Sequence, residues 1–124
     1  MLRDIDAVAT LAVKNLGKAA KFYEETLGLT RAGAEDDEVV VFESGDTRIN
    51  VYRSSYAGTN KATALTWPVD DVDDVVRTLK AKGVKFEHYA LPDTKRQGDV
   101  HVSGDIKVAW FKDPDGNILS VVNR

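Results

Sequence analysis

Few side chains in this sequence are of the types that carry out chemistry. The 124 residues include two histidines, His88 and His101, and no cysteine, which excludes disulfides, cysteine nucleophiles and thiolate metal sites. His101, in "DVHVSG", falls in or near a predicted strand, where it could act as a general base or lie exposed on the strand surface. His88, in "FEHY", is expected at a strand end with a structural role. No serine or histidine has the context of a nucleophile–base arrangement.

Clustered aspartates are the other candidates, and their positions favour structural roles. Four of them, at positions 70, 71, 73 and 74, could bind a cation, but carboxylates at the start of a predicted helix also complement its dipole. Asp113 and Asp115 lie in "DPDGN", where Pro114 fixes φ, Gly116 can adopt positive φ and Asp113 can bond back to the backbone. We therefore interpret this motif as a hairpin turn and not as a catalytic pair of carboxylates.

Composition limits the possible partners. The chain is 43% hydrophobic with a net charge of −3, which is typical of one compact globular domain. Because no basic stripe is available to neutralise phosphates, nucleic acid is not an expected partner. No apolar run is long enough to span a bilayer and no secretory leader is recognisable, so we expect a soluble, cytoplasmic protein without membrane contact.

The order of predicted elements occurs twice along the chain. In the first half a strand precedes the helix "NLGKAAKFYEETLG", with Asn15 as its N-cap and Gly28 as its terminator, and three short strands follow. In the second half the strand "ATALTWPV" precedes a helix capped by Asp71 and ended at Gly83. The segments "VKFEHY", "DVHVSGDIKVAWF" (one bent strand or a small hairpin) and "NILSVVN" follow. The sequence thus predicts two βαβββ modules, residues 1–57 and 62–124, joined by a polar linker at about 54–61.

Two of these segments together carry a family resemblance that spans essentially the whole chain. "LAVKNLGKAAKFYEETLGL" and "AWFKDPDGNILSVV" resemble the vicinal oxygen chelate superfamily, whose members include glyoxalase I, extradiol dioxygenases, fosfomycin-resistance enzymes and bleomycin-resistance proteins. The resemblance implies an α+β fold in which paired βαβββ modules form a curled, half-open mixed β-sheet barrel with the helices outside. It also implies a homodimer.

Metal-dependent members of this family place His or Glu ligands on four strands. The resemblance puts these positions at Val8, Asn50, Ala64 and Ser120. Val8 and Ala64 have no side-chain donor, and the amide and hydroxyl of the other two are weak neutral ligands for a divalent ion. Moving the register by one residue brings in no histidine or carboxylate. We therefore expect that the usual metal site is absent and that no cofactor is bound.

Strand alternation predicts which side chains line the cleft instead. Trp110 could be a stacking wall for a planar ligand or a plain core residue, and Arg48 could pair with a ligand carboxylate or simply be exposed. The predicted ligand-binding residues are Trp110, Tyr52, Asn50, Ser120, Thr66, Arg48 and Thr10. The other residues expected on the cleft side are Val8, Ala12, Val39, Val41, Ala64, Val108, Ile118 and Val122. The opposite side should pack under the helices through Leu11, Val13, Ile49, Val51, Leu65, Trp67, Val69, Phe111, Leu119 and Val121.

Three functions remain open on these grounds. The first is metal-independent binding of a small organic ligand, as in bleomycin-resistance-like sequestration. The second is an enzyme, a lyase or oxidoreductase with unusual metal ligands or with acid–base chemistry by His101 or Tyr52. The third is an auxiliary subunit without a ligand. The polar loop 89–99 could be a flap over the cleft or a plain solvated loop.

Overall fold

The computed structural model describes residues 1–33 and 38–124 and has an α+β architecture of mixed sheets and two α-helices. The first sheet has the strand order β1-β4-β3-β2, with β1 parallel to β4 and the other pairs antiparallel. Its strands are β1 Ala9–Val13, β2 Thr30–Arg31, β3 Val39–Ser44 and β4 Thr47–Arg53.

The second sheet has the order β5-β10-β9-β8-β7, and a short strand β6 also pairs with β9. Strand β5 is parallel to β10, as β1 is to β4, so the two sheets repeat one plan. The strands are β5 Thr63–Pro68, β6 Phe86–Glu87, β7 Lys95–Gln97, β8 Val100–Ser103, β9 Ile106–Lys112 and β10 Ile118–Val122.

Both predicted helices are present with their predicted caps. Helix α1, Leu16–Lys21, begins where the Asn15 side chain accepts a hydrogen bond from the Lys18 N–H, and it continues as a π-helical segment, Phe22–Thr26. Helix α2, Val72–Ala81, begins where the Asp71 carboxylate accepts from the Asp74 N–H. Gly28 and Gly83 follow the two helical segments with φ of 77° and 92°. None of the helices in the described residues is long and apolar enough to cross a membrane.

The side of each sheet that alternation assigns to the helices is buried as expected. Leu11 and Val51 of the first sheet and Phe111 and Leu119 of the second belong to one continuous apolar core, together with faces of both helices. Leu65, Trp67 and Val69 are only half-buried against this core. The shared core means that each module covers part of the other's apolar surface.

The "DPDGN" turn does more than join β9 to β10. Asp113 is buried, and its carboxylate accepts hydrogen bonds from the Tyr23 hydroxyl at 2.7 Å, from Asn117 Nδ2 at 2.8 Å and from two backbone N–H groups of the turn. Asn117 Nδ2 also donates to the Ala12 carbonyl, while the Lys14 N–H donates to Asp115 Oδ1. The interpretation as a simple hairpin is therefore incomplete, because the turn fastens the second module to β1 and to the π-helical segment of the first.

The segment after α2 differs from the sequence prediction in two places. Strand β6 is only two residues long, and the 89–99 segment contains a further strand, β7, which pairs antiparallel with β8. "DVHVSGDIKVAWF" is a hairpin of β8 and β9. The expectation of a loop without regular structure was wrong here, because Arg96 and its neighbours find backbone partners on the free edge of β8.

Candidate functional site

Three predicted site residues lie side by side on the face of the second sheet that is turned away from the apolar core. We call this the open face of the second sheet and define it by Thr66, Trp110 and Ser120, which occupy paired positions on β5, β9 and β10. The hydroxyl oxygens of Thr66 and Ser120 are 2.7 Å apart, and Ser120 is almost completely buried. Thr66 is exposed, so it is the Thr66 member of this pair that presents a polar group at the surface beside the indole ring.

Trp110 is held in place by neighbours on several sides. Its Nε1 donates to Thr63 Oγ1 at 3.1 Å, and its ring is in edge contact with His101 and Tyr89 at centroid distances of 4.9 and 5.3 Å. The indole remains half-buried. A large, fixed and partly accessible aromatic surface of this kind can stack a planar ligand at little entropic cost.

Thr63 is a site residue that strand alternation did not identify. The pairing between β5 and β10 shifts by one residue, so that Thr63 lies opposite Ile118 instead of Ala64. This irregularity lets the Thr63 hydroxyl reach Trp110. Nothing in the sequence marks the shift, because neither a glycine nor a proline occurs there.

His101 is buried with 1% of its surface exposed, so the interpretation as an exposed strand histidine was wrong. It is opposite Val108 on β9, on the same face as Trp110, and its Nε2 accepts a hydrogen bond from the Tyr89 N–H at 3.0 Å. Burial lowers the pKa of His101, and the nearby charges of His88 and Arg96 act in the same direction. This shift favours the neutral imidazole, and the Nε2 lone pair that a general base would use is already engaged by the Tyr89 N–H.

His88 is exposed and joins three elements through polar contacts. Because Arg96 can only donate, His88 Nδ1 accepts its hydrogen bond at 2.7 Å, and His88 Nε2 donates to Asp99 Oδ1 at 2.7 Å. Lys80 of α2 pairs with the other Asp99 oxygen at 2.7 Å. Hydrogen bonds from Lys80 and His88 hold the pKa of Asp99 below its usual value. This network fastens the 89–99 segment, which carries Tyr89 to Trp110.

The remaining predicted residues lie on the first sheet. Thr10 and Asn50 are paired neighbours on β1 and β4, and Tyr52 lies opposite Ala12 on the same side. We call this the open face of the first sheet. Thr10 is exposed, Tyr52 is 37% exposed and Asn50 is half-buried, so the part of the chain that the structure describes leaves this face largely uncovered. Among the residues that the structure describes, no hydrogen bond or ring contact joins these three side chains to Trp110 or Ser120.

Arg48 is exposed, as one of the two sequence interpretations held, and its guanidinium is 3.8 Å from Glu43. It also borders a pocket of about 400 Å³ between the β3–β4 hairpin and β5, where Thr66 and Trp67 form part of the opposite wall. Trp67 Nε1 donates across this seam to Ser44 Oγ at 2.8 Å. Arg48 and Thr66 thus share one pocket, whereas Trp110 does not line it.

The four positions where the family resemblance implies metal ligands do not fit a metal. Val8 and Ala64 offer no donor atom, and Val8 is 44% exposed immediately before β1. The Ser120 hydroxyl is already hydrogen-bonded to Thr66. Of the four positions this leaves only Asn50, whose neutral amide is a poor ligand for a divalent ion without carboxylate neighbours. Within residues 1–33 and 38–124, no group of three His, Asp or Glu side chains is arranged to hold a metal ion.

Comparison with solved structures identifies the fold. The chain is similar to a bleomycin resistance determinant encoded on the transposon Tn5, with 20% identity, a TM-score of 0.71 and coverage of 96% of this chain and 97% of that one. It is also similar to lactoylglutathione lyase from Agrobacterium tumefaciens, with 18% identity, a TM-score of 0.70 and coverage of 94% and 91%. A fosfomycin resistance protein from Listeria monocytogenes gives 17% identity, a TM-score of 0.67 and coverage of 97% and 90%.

These similarities extend over nearly the whole of each protein, and at such identities they show a common fold. The family assignment comes from the sequence itself, because the model of the Glyoxalase/Bleomycin resistance protein/Dioxygenase superfamily matches residues 5–121. The chain belongs to this superfamily.

Proposed function

We propose that the protein binds a small organic molecule without a metal ion, in a cleft with Trp110 as its principal wall. The observation that carries this proposal is the arrangement around the indole. Trp110 is fixed by Thr63, His101 and Tyr89, yet stays half-buried beside the hydroxyl pair of Thr66 and Ser120. An aromatic wall with a few convergent polar groups is the usual composition of a small-molecule site.

Metal independence rests on the donor atoms. Two of the four implied ligand positions are the aliphatic residues Val8 and Ala64, and the Ser120 hydroxyl is used by Thr66. Glyoxalase- or dioxygenase-like chemistry needs a divalent ion that polarises substrate oxygens, and several anionic or imidazole ligands must hold that ion. Sequestration needs only shape and hydrogen bonds, which the Trp110 ring and the Thr66 hydroxyl can provide.

We further propose that two copies of the chain complete the cleft. Thr10, Asn50 and Tyr52 form a partly polar face that is largely uncovered within residues 1–33 and 38–124. A twofold contact that sets this face against Trp110 of a second copy would bring all the predicted ligand-binding residues except Arg48 to one cleft. A cytoplasmic location remains a prediction from the sequence.

Catalysis by His101 or Tyr52 has less support. His101 Nε2 already accepts a backbone hydrogen bond, and Tyr52 lies on an exposed surface. A general base must be within hydrogen-bond reach of the substrate proton with its lone pair available. The His101 lone pair is not available, and Tyr52 lies on an open surface of the single chain and not in an enclosed site.

The experiment that tests the proposal is a ligand screen followed by tryptophan fluorescence. Two variants separate the signals, because the chain has only two tryptophans. In Trp67→Phe the emission comes from Trp110 alone, and in Trp110→Phe it comes from Trp67 alone. We expect saturable quenching in the first variant, weaker binding in the second, and the same affinity with and without EDTA. Binding that requires an added divalent ion, or that survives unchanged in Trp110→Phe, would contradict the proposal.

A further inference from the structure

A second cavity lies on the helix side of the second sheet, away from both open faces. It has a volume of about 180 Å³, and its walls come from the end of the first helical region, from α2 and from the second sheet. The wall residues include Leu29, Trp67, Val75, Leu79, Phe111 and Val121. Phe111, Val121 and Leu79 belong to the buried core, whereas Leu29, Trp67 and Val75 are half-buried, so the cavity reaches the core and opens to solvent at its rim.

The aromatic and β-branched walls resist collapse into this space. Trp67 is fixed by the hydrogen bond from its Nε1 to Ser44 Oγ at 2.8 Å, and the Phe111 ring packs against Phe86 at 5.6 Å between centroids. Val75 and Val121 have stiff, β-branched side chains with restricted rotamers. A cavity bounded by such groups stays open, because filling it from within would cost hydrogen bonding or unfavourable rotamers.

The lining also determines what can bind. All the side chains that line the cavity are apolar except for the indole N–H of Trp67, and that group already has a partner. Water in this cavity therefore has almost no hydrogen-bond partners. A polar ligand that entered it would lose its hydrogen bonds to water and gain none from the protein. Apolar cavities of about 150 Å³ hold a benzene-sized molecule. The indole and the Phe111 ring add surfaces for edge or offset stacking.

We propose that this cavity binds one single-ring aromatic hydrocarbon. The site is separate from the cleft of the proposed function, because Trp110, Ser120, Thr66 and Asn50 do not line it. Leu27 and Leu29 belong to the first module and the other walls to the second. A bound ring therefore touches both modules and stabilises their contact.

Toluene is the probe, and methyl-labelled wild-type protein gives the direct readout. We expect nuclear Overhauser contacts between toluene and the methyl groups of Leu29 and Val75. The melting temperature should rise by roughly 5 °C when toluene is at about ten times its Kd. Val75→Phe, which fills the cavity, should abolish this rise. Val84→Phe is the matched control, since Val84 is a half-buried valine outside the cavity, and it should keep the rise.

Several results would overturn the proposal. One is the absence of contacts from toluene to the lining methyl groups in wild-type protein, which does not depend on how the variants fold. Another is an equal rise in melting temperature for Val75→Phe and Val84→Phe. A third is a change in the NMR signals of the lining methyl groups on dilution of the protein but not on addition of toluene. That result would mean that a side chain of a second copy, and not the hydrocarbon, occupies the cavity.

Discussion

The carboxylate of Asp113 is completely satisfied although it is buried, and Tyr23 is the donor that comes from the other module. Burial, followed by the negative charge of Asp113, raises the pKa of Tyr23 well above its usual value. The phenol therefore keeps its proton, and remains a donor, at pH values where an exposed tyrosine would lose it. Removing one such donor destabilises the folded protein, because the hydrogen bonds that remain only partly compensate for the desolvation of the buried carboxylate.

Tyr23→Phe removes this donor while keeping the ring. We expect a loss of roughly 2 kcal/mol in the free energy of unfolding, measured by urea denaturation, since hydrogen bonds to charged groups contribute about 1.5–3 kcal/mol. Tyr56→Phe is the control, because Tyr56 is 78% exposed, and it should change stability by less than about 0.5 kcal/mol. Equal stability of the two variants would mean that the bond to Asp113 contributes nothing.

His101 should make stability depend on pH. Its pKa in the folded protein is lowered, so below about pH 6.5 the unfolded chain binds more protons than the folded one. The stability due to neutral His101 is therefore complete above about pH 6.5 and falls as the pH drops from there towards the folded pKa. Denaturant unfolding at several pH values should show a flatter curve over this window for His101→Gln than for wild type. Parallel curves would show that His101 is not buried as a neutral group.

Individual side chains were predictable where strand alternation was unambiguous. Ser120 and Thr66 are neighbours of Trp110 as alternation requires, because β9 and β10 are regular there. His101 was not predictable, since its face depends on whether "DVHVSGDIKVAWF" bends as one strand or folds as a hairpin. Tyr89 reaches Trp110 through a non-local contact, which no local pattern encodes.

At the level of elements, the turn between β9 and β10 packs closely against the linker. Gly58 has a φ of 71°, and a Cβ built on it would lie 2.0 Å from the Asp115 carbonyl oxygen. The turn that carries Asp113 can therefore lie this close to the linker only because residue 58 lacks a side chain. Glycine is needed here for two reasons, its backbone conformation and the close approach.

Gly58→Ala should be more harmful than an ordinary glycine substitution. Positive φ alone costs about 1–2 kcal/mol for alanine, and forcing the turn away adds about 1–3 kcal/mol. The matched control is Gly104→Ala, at a φ of 58° with nothing within 4 Å of the added Cβ, which should show only the first cost. Thermal and urea unfolding of both variants would separate the cost of the positive φ from the cost of the close contact. Equal losses in the free energy of unfolding would exclude a tight contact at Gly58.

Helices and long strands were predictable because local signals and burial agree. Asn15 and Asp71 cap the helices as their side chains suggest, and apolar spacing identified the buried faces. The π-helical segment Phe22–Thr26 carries no such signal. Strands β6 and β7 are two and three residues long, and they are defined by pairing with β9 and β8 more than by their own sequence.

For the whole molecule, the proposed dimer makes a testable prediction. Tyr52 is 37% exposed on the open face of the first sheet, which the proposed second copy would cover. We expect light scattering to give twice the chain mass of 13.6 kDa. Tyr52→Glu should weaken the dimer by at least tenfold, because it places a charge in a desolvated contact, whereas Tyr56→Glu, outside that face, should not. A stable monomer of the wild-type protein at high concentration would contradict the dimer.

The general architecture was predictable because the order of elements repeats and the family signature spans the chain, and the family model confirms this over residues 5–121. The contacts that join the two modules could not be predicted. They depend on Tyr23, Gly58 and Asp113, which are far apart in the sequence. The hydrogen bonds of the "DPDGN" turn to another module cannot be read from the turn itself.

Metal content, measured by elemental analysis of untagged protein purified without chelator, is the most direct test of the central claim. Metal-independent binding predicts less than about a tenth of an equivalent of any transition metal, and no change in melting temperature with EDTA. About one equivalent of metal, removed by chelator with a fall in melting temperature, would contradict the account. That result would show that ligands other than Val8, Asn50, Ala64 and Ser120 hold an ion in this protein.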